Sequence, residues 1–123
     1  MAEHEARDCL FCNILAGRIP SRAVDVDGDL ADDVYAFEDV SPAAPHHVLI
    51  IPRRHIVSVN AVGAGDAELL GKLVLAAKSI AVRRGIAESG YRLVLNTNAD
   101  GGQTVFHLHL HLLGGRGLGW PPG

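Results

Sequence analysis

Long apolar runs are absent from this chain: stretches such as Val48–Ile51 and Leu73–Ala77 are among the longest, whereas a membrane-spanning helix needs about 20 residues. No block of basic residues occurs either. Eleven Lys plus Arg against 14 Asp plus Glu leave a formal charge of −3, so no broad surface for nucleic acid or anionic lipid is expected, and any phosphate contact must be local. Residues Met1 to Asp8 are acidic and polar, without the basic-then-apolar order of a secretory signal, which makes the cytoplasm the default location. Aromatics are only 5% of the chain, so the core, drawn from 48% hydrophobic residues, must be mostly aliphatic. Cysteine is limited to Cys9 and Cys12. That excludes a disulfide scaffold, and the C-x-x-C spacing points to metal or redox chemistry.

With 123 residues a single domain spanning 1–123 is expected, with a flexible N-terminus at 1–7 and an extended arm at 114–123, where Gly and Pro exclude regular structure. Asp8 is placed to N-cap a short helix showing Leu10, Phe11, Ile14 and Leu15 on one side and ending at Gly17. Strand pieces at Ala23–Val26 and Asp33–Phe37 meet at Asp27-Gly28-Asp29, a hairpin signal. His46–Ile51 reads as a buried strand. From Asp66 to Arg84, Leu69, Leu70, Leu73, Val74, Ala77, Ile80 and Ala81 recur at helical spacing. Tyr91–Thr97 and Val105–Leu113 read as a hairpin of long central strands around a turn at 98–102. The sum is an α+β domain: an antiparallel sheet of about five strands with two helices on one side.

The chemistry concentrates in His107, His109 and His111, which alternate with leucines. The two-residue strand period puts three imidazoles on one face. His107 and His111 would stand about 13 Å apart, too far to share an ion whose bonds to nitrogen are about 2 Å, so at least one of them does something else. The preceding Asp100-Gly101-Gly102-Gln103-Thr104 offers backbone N–H groups and a hydroxyl suited to a phosphate. A neutral imidazole attacks phosphorus, while neighbouring imidazoles and amides stabilise charge, which suits covalent phosphoryl or nucleotidyl transfer.

The run His107-Leu-His109-Leu-His111-Leu-Leu, with Gly102-Gln103 before it and Asp39-Val40-Ser41-Pro42 and His47-Val48-Leu49-Ile50-Ile51-Pro52 upstream, resembles the histidine triad (HIT) nucleotide-binding family. Leu113-Gly114-Gly115-Arg116 and Trp120-Pro121-Pro122-Gly123 are similar to its Hint branch, the purine nucleoside phosphoramidases. The resemblance implies a homodimeric, nucleotide-binding hydrolase that cleaves the P–N bond of adenosine 5′-phosphoramidates, releasing AMP and an amine without a catalytic cofactor. It implies that His109 is the nucleophile and forms a nucleotidyl-histidine, that His111 contacts the phosphate, and that His47 orients or polarises the site. Asp39 would accept the ribose hydroxyls, Val40, Phe11, Ile14 and Phe37 would line the purine slot, and Asn96, Gly102, Gln103 and Thr104 would hold the phosphate. The Asp66–Arg84 helix and the Tyr91–Thr97 strand would form the dimer interface. Glu38 stands where some relatives carry His, which bears on base preference. Asn98 replaces a common Gly but tolerates positive φ.

Cys9 and Cys12 fit one tetrahedral ion, and His55 offers a third ligand. In some HIT relatives the first histidine of the triad completes such a set, which here implies a structural zinc on Cys9, Cys12, His55 and His107. A thioredoxin-like redox pair would need a preceding buried strand that the sequence lacks. Two alternatives remain for the function: hydrolysis of dinucleoside polyphosphates or nucleotidyl transfer, and nucleotide sensing or scaffolding with incidental hydrolysis.

Overall fold

The computed structural model describes residues 6–123. Five strands, β1 (Ala23–Val24), β2 (Val34–Glu38), β3 (His46–Pro52), β4 (Tyr91–Leu95) and β5 (Leu110–Gly114), form one antiparallel sheet in the order β1-β2-β3-β5-β4. The helices are α1 (Leu10–Leu15), α2 (Ala67–Arg83) and the four-residue α3 (Asn98–Gly101). Of the expected loose terminus, residues 1–5 lie outside the described residues, and Ala6–Asp8 forms a 3-10 turn. None of the helices among the described residues is long and apolar enough to cross a membrane.

Alternation along the strands divides the core in two. Val34 and Ala36 of β2, Val48 and Ile50 of β3 and Leu110 and Leu112 of β5 face α2, where Leu73, Ala76, Ala77, Ile80 and Ala81 meet them. The intervening residues, Phe37, Leu49 and Ile51, face the other way and collect Cys9 and Phe11. The two main helices therefore lie on opposite faces, not on one, because Phe11 of α1 needs the aromatic and aliphatic residues that β2 and β3 turn away from α2. Helix α2 buries Ala76 in place of the expected Val74, which is 47% exposed. It stops at Gly85 (φ +72), where Gly85 N–H donates to Val82 and Ile86 N–H to Ala81, with Ile86 buried behind the turn.

Four other expectations shift in detail. Cys9 rather than Asp8 caps α1, its Sγ accepting the Cys12 N–H at 3.3 Å. β1 and β2 do pair, but through residues 25–33 instead of a hairpin turn at Asp27-Gly28-Asp29, since Leu30 is drawn into the core and takes the chain through helical turns on the Asp27 and Leu30 carbonyls. β5 starts at Leu110, five residues later than expected, and it is β3 and β5 that are central, with β4 at the edge. Residues 105–109 approach the strand outside the ladder, held by a 2.7 Å bond from Leu108 N–H to the Ile56 carbonyl. Beyond β5 the chain passes so close to its neighbours that a Cβ on Gly115 (φ +94) would lie 2.9 Å from Pro45 Cβ. The arm that follows is held by Arg116 on the Ala43 carbonyl (2.9 Å) and Arg92 on the Gly119 carbonyl (2.7 Å).

Candidate active site and metal centre

On the face away from α2, register brings His111 beside Leu49 on one side and Val94 on the other, while His47, two residues before Leu49 on β3, pairs with Leu113. His47 Nε2 lies 2.9 Å from His111 Nδ1 and 3.4 Å from Asp39 Oδ2. Backbone groups decide which nitrogens carry protons, because an amide N–H only donates and a carbonyl only accepts. Ala43 N–H donates to His47 Nδ1 at 3.0 Å. His47 therefore carries its proton on Nε2 and donates it to His111 Nδ1, and His111 is left with its proton on Nε2. His109 donates from Nδ1 to the carbonyl of His107 at 2.7 Å, leaving Nε2 as its lone-pair nitrogen. The rings of His109 and His111 are 4.9 Å apart.

Burial favours the neutral form of these rings. It pushes His111 down to about 4, aided by His109 and His47 close by and opposed by the Asp39 carboxylate. His109 and His47 are also lowered by burial, and Asp39 again works against the shift. At neutral pH the site therefore presents one imidazole lone pair and one imidazole N–H side by side.

His107 belongs to a different cluster. Its Nε2 donates to the Pro52 carbonyl at 2.8 Å, so its Nδ1 holds a lone pair, aimed at Cys9 Sγ (3.4 Å), Cys12 Sγ (3.5 Å) and His55 Nδ1 (3.3 Å). Cys12 Sγ is 3.3 Å from His55 Nδ1. All four ligand atoms lie within 4.8 Å of one another. A tetrahedral ion with the usual zinc bond lengths would hold N–N edges of about 3.3 Å and N–S edges of about 3.6 Å, and the four groups stand close to that spacing already. The Pro52 carbonyl supplies the outer hydrogen bond that fixes a ligating tautomer. As a free thiol, Cys12 is pushed up to about 11 by burial and by Cys9, and His107 is pushed down to about 4, chiefly by burial. Asp39, His47 and His111 also have ligand atoms within 4.8 Å of one another, but the Ala43 amide keeps His47 Nε2 protonated.

Of the remaining candidates, Asp39 and Val40 line a cleft of about 520 Å³ with Pro42, His47 and the Glu38–Arg84 ion pair, and Val40 is 93% exposed. Asp39 Oδ1 accepts the Ser41 N–H at 2.8 Å. Phe11 and Phe37 are buried edge to face at 5.3 Å, with Ile14 packed against them. Asn96 lies beside Gly102, and Thr104 is exposed at the end of the same loop. Gln103 is turned inward: its amide donates to the Val57 and Val105 carbonyls (2.8 and 3.1 Å), its Oε1 accepts Asn98 N–H (2.9 Å), and its own N–H goes to the Asn98 carbonyl. Asn98 takes φ +58, as its side chain allows. Sequence reasoning missed the groups that set the tautomers, namely Ala43 N–H and the carbonyls of Pro52 and His107. Main-chain atoms carry no residue signature.

Residues 29–118 match the HIT domain family model. The chain belongs to the histidine triad family. Among HIT relatives, the purine nucleoside phosphoramidase of Escherichia coli K12 is 50% identical over 114 residues, 93% of this chain and 92% of that protein. An uncharacterized HIT-like protein of Synechococcus elongatus is 48% identical, covering 96% of this chain and 99% of its own. A HIT family hydrolase from Legionella pneumophila superposes with a TM-score of 0.87 at 50% identity, over 94% of this chain and 99% of that one. A histidine triad protein from Clostridium difficile gives 0.86 at 37% identity, over 94% and 96%.

Proposed function

We propose that this HIT protein is a phosphoramidase that cleaves the P–N bond of purine nucleoside 5′-phosphoramidates, releasing the nucleoside monophosphate and an amine through a covalent intermediate on His109. The observation that carries the reading is the 2.7 Å bond from His109 Nδ1 to the His107 carbonyl, which commits Nε2 to attack. As Nε2 bonds to phosphorus the ring becomes a cation, and the same carbonyl stabilises its Nδ1–H. His111 Nε2–H, held by the His47 and Ala43 chain, donates a hydrogen bond to a phosphoryl oxygen. The P–N bond of the substrate breaks as the amine takes a proton from solvent, and water then attacks phosphorus, breaks the P–Nε2 bond and loses its proton to solvent, leaving the nucleoside monophosphate and a neutral imidazole. Asp39 takes the ribose hydroxyls. Val40, Phe11, Ile14 and Phe37 form the purine side, and Asn96, Gly102 and Thr104 the phosphate side, with Gln103 shaping that loop from within. The relative in E. coli, whose name states this activity, supports the reading.

Cys9, Cys12, His55 and His107 would hold a structural zinc, whose charge would keep both thiols ionised; such thiols suit a reducing cytoplasm. The protein acts as a homodimer through α2 and the edge strand β4, where Val74, Leu75, Val82 and Leu95 are exposed. The test is AMP release from adenosine 5′-phosphoramidate and from diadenosine tetraphosphate, with wild type and His109→Ala. Preference for the phosphoramidate, lost in the variant, is expected. Preference for the dinucleotide would move the protein to another activity of the family.

A further inference from the structure

Residue 107 is used twice. Its imidazole points Nδ1 into the thiol and imidazole quartet, and its carbonyl, on the same residue, anchors His109 Nδ1. This peptide stands outside the sheet ladder, since β5 begins only at Leu110. Its N–H, from Leu108, is tied to the Ile56 carbonyl, and the orientation of its carbonyl is set from the other side by the His107 side chain, between the Pro52 carbonyl and the quartet. A second route runs through α1. Phe11, buried between Cys9 and Cys12, stands edge-on to the His109 ring at 5.1 Å and 89°, and to His107 at 6.0 Å. A six-residue helix has little stability of its own. What holds α1 therefore holds Phe11 against His109.

We propose that a soft divalent ion on Cys9, Cys12, His55 and His107 positions the His109 ring for attack through the His107 carbonyl and the Phe11 edge, so that metal loading sets the rate of nucleotidylation. Phe11 is on this account a positioning residue. The inference rests on the metal and nucleophile assignments proposed above. Misplacing a reacting atom by about 1 Å costs on the order of 10²-fold in rate, so loss of the ion is expected to slow the covalent step by about 10- to 100-fold with little change in KM.

The experiment uses the full chain, stripped with a chelator and reloaded with cobalt(II), whose thiolate absorption reports occupancy. Single-turnover formation of nucleotidyl-His109 is followed by mass spectrometry, and the His109 Nδ1–H resonance by NMR. Expected are cobalt uptake that Cys12→Ser weakens, a hydrogen-bonded Nδ1–H signal that broadens on stripping and returns on reloading, and a parallel fall and recovery of the covalent step. Phe11→Leu should slow that step by about 3- to 10-fold, a loss of around 1 kcal/mol, at undiminished cobalt binding. Normal nucleotidylation and an unchanged Nδ1–H signal in the folded, stripped chain would overturn the coupling alone. Failure of the folded wild type to take up cobalt would overturn it at the metal, and a loaded protein that never forms nucleotidyl-His109 would overturn the assigned reaction and the coupling with it.

Discussion

Truncating Gln103 separates two roles that its sequence neighbourhood does not. Gln103 is 5% exposed, and its side chain makes three hydrogen bonds, two within the loop at 98–105 and one that ties the loop to the Val57 carbonyl. Each is worth about 1 kcal/mol net, and water reaching part of the gap recovers a fraction, so Gln103→Ala should cost about 2–3 kcal/mol. With an unfolding entropy of about 2.1 cal/mol/K per residue over 123 residues, Tm should fall by about 8–12 °C. The assay is thermal and urea unfolding at one protein concentration, paired with KM for adenosine 5′-phosphoramidate. KM should change little below the melting range. A Tm within about 2 °C of wild type together with a large rise in KM would show that Gln103 reaches the phosphate, and that the hydrogen bonds described here do not persist in the active protein.

His47→Ala removes the donor to His111 Nδ1 and frees the second tautomer, so kcat should drop by about 10²-fold with KM nearly unchanged in steady-state assays. The pH profile follows from the lowered histidines: a group with a folded pKa near 4 and an ordinary value of 6.5, as for His111, binds fewer protons folded than unfolded between those values. This contribution to stability is therefore complete above pH about 6.5 and lost progressively as pH falls towards about 4. The acid limb of kcat/KM should have its midpoint below the ordinary histidine value, since burial lowers His109 as well, and a midpoint at that ordinary value would contradict the burial argument. Gly115→Ala sets a Cβ against Pro45 in a left-handed backbone and should lower stability by about 1–3 kcal/mol, read by urea unfolding. Leu75→Glu places a charge among the exposed apolar residues of α2 and should yield a monomer in sedimentation at micromolar concentration; an unchanged dimer would move the interface elsewhere.

Periodicity made α2 and β3 legible within a residue or two, because each has one face of aliphatic side chains that only one conformation can bury. Where a single side chain overrode local propensity, the sequence misled: Leu30 turned an expected tight hairpin into the helical turns of 25–33, and Phe11 carried α1 to the face away from α2. Cys9, Cys12 and His55 were readable as candidate ligands from residue type and the C-x-x-C spacing, whereas His107, 52 residues beyond His55, joined them only through the family resemblance. The split of the triad was readable only in part. Distance along the strand showed that His107 and His111 could not serve one ion, but not that His107 would leave the ladder. Gln103 shows the limit of motif reading, since an amide beside a Gly-Gly turn donates to carbonyls within the loop as readily as to an anion.

Ala43 offers both of its main-chain polar groups to the site's surroundings: its N–H holds His47 and its carbonyl holds Arg116 of the terminal arm. Its side chain is an exposed methyl. Replacing that methyl with almost any other side chain leaves both bonds in place, and a scan that converts residues to alanine passes over this position without altering it. A surface position tolerant of nearly every substitution can thus be where the tail of the chain and the proton arrangement of the site are joined, and among the natural residues proline alone, lacking the N–H, would expose the connection.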